Sequence, residues 1–166
     1  NATRFGDGRL VVSNGLHTDD IYSSRDKRPV GLRRRLNTWG VEPDSLHTPR
    51  IAGMLNIHDI VNSSLLYLGM VSDNGVRSVR VRPVPGYAYG ISTYNGDETD
   101  PKPFDINRLL KQSALLQVRV EGRTPEEIVE FFSTEVIDPQ LFVSGVSTIW
   151  YKEDNDWKIA VRNLHS

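Results

Sequence analysis

Short apolar runs, many of them alternating with polar residues, recur along this chain and are broken by Gly, Asn and Pro. Alternation with a period of two marks strands, because successive side chains point to opposite faces. Arg9–Asn14 (RLVVSN) reads as a short buried strand closed by the turn dipeptide Asn14-Gly15, and Gly6-Asp7-Gly8 as a turn before it. Residues 21–36 are basic, carry Pro29 and Gly31, and read as a loop followed by a short helix. Arg50–Ile57, Ser64–Ser72 and Val76–Pro83 are β-rich, with Asp73-Asn74-Gly75 as a tight hairpin between the last two. Tyr87–Tyr94 (YAYGISTY) predicts a further strand, rich in aromatic and β-branched residues. Asn95–Asp105 is a polar loop with prolines, and Ala114–Glu121 is strand-like.

The clearest helix begins at Thr124. Thr124 is a good N-cap, Pro125 suits the first helical position, and Glu127 completes a capping box. Ile128, Phe131, Phe132 and Val136 then share one face. Val143–Lys152 and Trp157–Asn163 flank Glu153–Asp156 as a hairpin. About eight strands and two or three helices, without regular βαβ alternation, point to an α+β fold of stacked, largely antiparallel sheets flanked by helices.

Composition narrows the classes. A chain of 166 residues fits a single domain, 1–166, and 38% apolar with 25% charged residues is a soluble globular balance. With no cysteine, disulfides, thiolate metal sites and a cysteine nucleophile are excluded; the composition is compatible with a reducing cytoplasm. The net charge of -1 speaks against a chain built around nucleic acid. The basic cluster Arg25, Lys27, Arg28, Arg33, Arg34 and Arg35 has no interleaved aromatics, so a solvated face is its plainer reading. No run approaches the ~18 apolar residues that span a bilayer, so no membrane partner is expected. A domain of this kind often assembles as a symmetric homo-oligomer.

Two segments gather polar groups at strand ends. In VVSNGLHTD (Val11–Asp19), Ser13, Asn14, His17, Thr18 and Asp19 crowd a strand end and its turn, which can present N–H groups and hydroxyls to an anion. The same residues also read as a plain turn followed by a helix cap at Thr18-Asp19. In HTPRIAGML (His47–Leu55), Arg50 stands at the mouth of a strand, where its fork suits a phosphate or carboxylate or, equally, a local acid. Ser13, His17 and Asp19 lie too close in sequence to line up as a triad. The spacing of His17, His47, His58 and His165 is not that of metal ligands, and there is no nucleophile elbow, Walker loop or dinucleotide fingerprint. Tyr87 and Tyr89 would share a strand face and Tyr94 the opposite one; core packing explains such a stripe, but Tyr94 borders the polar loop.

Together these segments resemble the archaeal-type IMP cyclohydrolase family. The match runs through VVSNGLHTD (Val11–Asp19), TPRIAG (Thr48–Gly53), YLGMV (Tyr67–Val71) and STYNGD (Ser92–Asp97), in family order. The resemblance implies a four-layer αββα fold like that of N-terminal-nucleophile hydrolases, without autoprocessing; Asn1 lacks the hydroxyl or thiol of such a nucleophile. Family members usually carry an upstream Arg- and Ser-rich strand, so an N-terminal strand is expected to be missing here. The implied reaction is cyclodehydration of 5-formamidoimidazole-4-carboxamide ribonucleotide to inosine monophosphate in the cytoplasm. That small-molecule purine precursor would be the ligand, with no cofactor and no metal.

On this reading Arg50 clamps the phosphate or oxyanion, and Ser13, Asn14, Thr18 and Thr48 hydrogen-bond the substrate. His17 and Asp19 orient these groups or assist proton transfer, Tyr94 is an acid or a stacking residue, and Arg33 and Arg35 are a second phosphate anchor. The reading requires the serine–asparagine turn and the Thr-Pro-Arg entry to converge on one pocket. Its rivals are a related cyclodehydratase or amide hydrolase acting on another heterocycle, and a non-catalytic purine-nucleotide-binding module.

Overall fold

The structure is a computed structural model that describes residues 2–24, 26, 29–57, 65–95, 102–137, 143–151 and 153–163. It is α+β, and the chain divides into two compact units, residues 1–83 with 89–117, and residues 84–88 with 118–166.

The first unit is built on a five-stranded antiparallel meander: β1 (Thr3–Gly6), β2 (Arg9–Ser13), β3 (Arg50–Asn56), β4 (Leu65–Ser72) and β5 (Gly75–Val81), paired in chain order. β1 and β2 are joined at Gly6↔Arg9 across Asp7 and Gly8, both at positive φ, as tight hairpins require. Ser72↔Gly75 closes the β4–β5 hairpin over Asp73 and Asn74. β1 is not legible in the sequence: its four residues, TRFG, carry one large apolar side chain, and the strand exists through its pairing with β2.

Alternation divides the sheet cleanly. Along β3, Arg50, Ala52, Met54 and Asn56 are buried, while Ile51, Gly53 and Leu55 are only partly so. The buried face carries Val11, Ala52, Met54, Tyr67 and Val71 and packs against Ile21 of α1 (Thr18–Ser23) and Leu32 and Leu36 of α2 (Pro29–Trp39). Each such fully buried leucine contributes roughly 1.5–3 kcal/mol. Gly69 of β4 allows the close fit, since a Cβ there would lie 2.8 Å from Leu36 Cδ1. The basic stretch is therefore more helical than its composition suggests: α2 runs eleven residues, held by its apolar stripe.

On the opposite face, Leu68, Met70 and Val81 meet Phe104, Ile106, Leu109 and Leu115, from a segment wound into 3-10 turns at Ile106–Leu110 and Gln112–Ala114. The remaining short strands of the chain are β6 (Tyr87–Gly90), β7 (Tyr94–Asn95), β8 (Lys102–Pro103) and β9 (Leu116–Arg119). The expected strand Tyr87–Tyr94 is thus broken after Gly90, and face parity does not carry from Tyr89 to Tyr94.

In the second unit, α3 (Pro125–Phe131) has the full capping box, with Thr124 accepting from Glu127 N at 3.2 Å, and continues as a π-helical turn, Phe132–Val136. It lies on a hairpin of β10 (Ser144–Tyr151) and β11 (Asp156–Asn163), with Arg162 pairing with Glu130. Trp150 and Trp157 face each other across that hairpin at 5.1 Å between ring centroids.

Candidate functional site

The two polar segments meet because β2 and β3 are neighbours, with Ser13 opposite Ala52. The Asn14 carboxamide fastens the junction. Its Nδ2 donates to Pro49 O at 2.9 Å, and its Oδ1 accepts from Ile51 N at 2.9 Å. Asn14 thereby extends the ladder with a side chain just where the β2 backbone turns away.

Behind the junction lies a buried polar cluster. Ser13 Oγ and Thr18 Oγ1 are 2.5 Å apart, and both lie within hydrogen-bond reach of Gly15 O, at 3.2 and 2.9 Å. His17 is fully buried, with Nε2 3.2 Å from Ile51 O. A carbonyl only accepts, so this bond assigns the proton to Nε2 and leaves Nδ1 as a lone pair in the neutral ring. His17 Nδ1 and Arg50 Nε are both buried without a hydrogen-bond partner. Burial is the main reason that the His17 pKa is lowered, with Arg50 adding to it against opposing contributions from the Ile51 carbonyl, Glu42 and Asp20.

Arg50 is 5% exposed and anchored from two sides. Its Nη1 pairs with Glu42 Oε1, and its guanidinium lies 5.2 Å from the centroid of Trp39. The Trp39 indole N–H in turn donates to Asp20 Oδ2 at 3.0 Å, and Asp20 Oδ1 accepts from Arg35 at 3.0 Å. Arg35 thus connects to Arg50 through the Asp20–Trp39 platform.

A second group sits one turn upstream of β3. Asp44 accepts from Thr48 N at 2.9 Å and from Thr48 Oγ1 at 2.6 Å, and Thr48 Oγ1 is 2.8 Å from the Tyr94 hydroxyl. Beside the Asn14 junction, the sheet face away from α1 and α2 carries a cavity of about 430 Å³. Leu10, Val12, Ile51, Gly53, Leu55 and Leu66 line it, with Ser13 and Asn14 at one end.

The structure therefore brings together Ser13, Asn14, His17, Thr18 and Arg50, and joins Thr48 to Tyr94. It does not bring Asp19 to them: that side chain is exposed on α1 and pairs with Arg4 Nε at 3.0 Å. Arg33 is exposed on α2. Asn1, Arg25, Lys27, Arg28, His58, Asp97 and His165 lie outside the described residues. Sequence reasoning missed Asp20, Trp39, Glu42 and Asp44. Only Asp44 had a local signal, an acid four residues before a threonine at a turn. Among the described residues no group of three His, Asp or Glu could hold a metal ion, and no helix is long and apolar enough to cross a membrane.

Residues 1–141 match the family model described as IMP cyclohydrolase-like protein. Among curated relatives, the IMP cyclohydrolase of Methanococcus aeolicus is 30% identical over 160 residues, covering 94% of this chain and 68% of the relative. That of Methanococcus maripaludis is also 30% identical, covering 90% and 65%. The Methanocaldococcus jannaschii protein is 28% identical, covering 79% and 56%. The chain thus spans between about half and about two thirds of the length of these relatives.

Proposed function

Because the chain belongs to the IMP cyclohydrolase-like family, we propose that it closes the purine ring, converting 5-formamidoimidazole-4-carboxamide ribonucleotide to inosine monophosphate and water. The observation that carries the reading is the Asn14 carboxamide held by both Pro49 and Ile51, which makes one site of the two segments.

The chemistry asks for little beyond placement. The carboxamide nitrogen and the formyl carbon sit on adjacent ring substituents, so freezing the productive rotamer supplies several kcal/mol of the barrier reduction. A proton must leave nitrogen and reach the departing oxygen, and a donor must meet the developing oxyanion. In this reading the polar substituents of the substrate meet the two strand ends. Arg50, pre-oriented by Glu42 and Trp39, holds the phosphate or the oxyanion. Ser13, Asn14, Thr18 and Thr48 supply hydrogen bonds around it, and His17 stays neutral as a rigid support. Tyr94 handles the proton. Arg33 and Arg35 form an outer phosphate anchor, and Asp19 orients α1.

The reaction needs no metal, folate or nucleotide cofactor, and we place it in the cytoplasm. The four-layer arrangement belongs to the same reading. A comparison of kcat/KM for the formamido ribonucleotide and its dephosphorylated nucleoside tests the substrate. A preference of at least ~100-fold for the phosphate, about 2.7 kcal/mol, is expected; equal use of both points to another heterocycle.

A further inference from the structure

The end of α1 and the start of α2 enclose a further cavity, of about 350 Å³, lined by Ser23, Ser24, Asp26, Gly31, Arg34 and Arg35. Gly31 lets the chain close over the first turn of α2: a Cβ there would collide with the Asp26 carbonyl and lie 2.9 Å from Asp26 Cβ. From the sheet, Arg9 Nη1 donates to Ser24 O at 3.1 Å and fixes the backbone at the rim. The donors around this cavity are not used up. Arg35 Nη1 gives one bond, at 3.0 Å, to Asp20 Oδ1, which orients the guanidinium and leaves most of its N–H groups for another acceptor. Arg34 is exposed, and among the described residues it has no acidic partner. The buried Ser24 hydroxyl reaches only Asp26 O, at 3.5 Å, so its proton can turn into the cavity. The eleven-residue α2 brings the positive end of its dipole to the same place. Asp26 is the one acid of residues 25–35, against six basic residues, so the local balance is positive.

We propose that this cavity binds a phosphate group, held by the guanidinium forks of Arg34 and Arg35 and by the Ser24 hydroxyl. A planar guanidinium matches two phosphate oxygens at once, which the point charge of an ammonium does not. The inference deepens the outer phosphate anchor of the functional reading and rests on that reading only in naming phosphate as the ligand. To Arg35 it adds Arg34, which no motif marks. Arg35 also holds Asp20, which bonds the indole of Trp39 against Arg50, so a chain of direct contacts joins the cavity to the Arg50 site. A nucleotide's own phosphate and a free phosphate ion share the chemistry this cavity recognises.

Inorganic phosphate, titrated against chloride at constant ionic strength and read by calorimetry, tests this on wild type, Arg34→Gln, Ser24→Ala and Lys111→Gln. Lys111 is exposed beside the 3-10 turns on the opposite face of the sheet, so its substitution removes the same charge elsewhere. Phosphate affinity should be at least ~10-fold lower in Arg34→Gln and about threefold lower in Ser24→Ala. In Lys111→Gln it should stay within about twofold of wild type, because solvent and salt screen a distant charge. Phosphate that fails to bind the wild type, or binds Arg34→Gln as tightly, overturns the inference. So does an equal loss in Lys111→Gln, which marks net charge alone. Repeating the wild-type titration with saturating inosine monophosphate separates the two sources. Loss of the Arg34-dependent binding assigns the cavity to the nucleotide's phosphate, and unchanged binding assigns it to a free ion. A wild type that binds phosphate through Arg34 but leaves the formamido ribonucleotide unconverted overturns the functional reading and not this one.

Discussion

Gly15 faces the Arg50 guanidinium at contact distance: a Cβ there would lie 3.0 Å from Arg50 Nη1 and 2.8 Å from Glu42 Oε1. Gly15 is not among the residues at positive φ, so this position needs glycine for close approach and not for turn geometry. Gly15→Ala should displace the Glu42 carboxylate, the far end of a flexible and partly exposed side chain, and so cost no more than about 1 kcal/mol, the low end for overpacking. Urea unfolding checks it, and a loss of several kcal/mol contradicts it.

Glu42 is the partner that keeps a buried guanidinium compensated. Side-chain exposure is 7% for Arg50 and 25% for Glu42, so solvent softens the loss of the pair without cancelling it. Glu42→Gln should destabilise the protein by about 3 kcal/mol, the low end for breaking a buried pair. It should also weaken nucleotide binding, because Arg50 loses its orientation. Denaturant titration and calorimetric binding measure the two effects separately.

His17 makes stability depend on pH with a definite sign. Its folded pKa is lowered, chiefly by burial, so the unfolded chain takes up the proton first as pH falls. The stabilisation is fully present above the unfolded value of about 6.5 and is lost on descending through the lowered folded value. Wild type should therefore lose more stability between pH 8 and pH 5 than His17→Gln. Parallel losses would show that His17 does not titrate in this way.

The Thr124 cap offers a local prediction in the other unit. Thr124→Ala removes the bond to Glu127 N and should cost about 1 kcal/mol. Thermal unfolding reads it, and inosine monophosphate affinity should stay unchanged.

What the sequence revealed follows from which interactions are local. β3 was legible because its buried and half-buried residues alternate along the chain, and α3 because Thr124, Pro125 and Glu127 form a cap within four positions. The junction of Asn14 with Pro49 and Ile51 was legible as two motifs at strand ends, which a meander makes neighbours. Trp39 and Asp20 were not, because packing of α1 and α2 brings the indole to Arg50 and the carboxylate to the indole; Glu42 was not, because it reaches Arg50 from an irregular loop after α2, where its N–H bonds to Thr48 O. Asp19 went the other way: on a six-residue helix it turns outward to Arg4, while its neighbour Asp20 turns toward Trp39.

Incubation of the purified protein with 5-formamidoimidazole-4-carboxamide ribonucleotide, without added metal or folate, tests the central claim most directly, with ultraviolet absorbance and chromatography identifying the product. The account predicts inosine monophosphate from the wild type and a rate at least ~100-fold lower from a folded Arg50→Ala variant. No product above the uncatalysed rate, or equal rates for the two proteins, would contradict it.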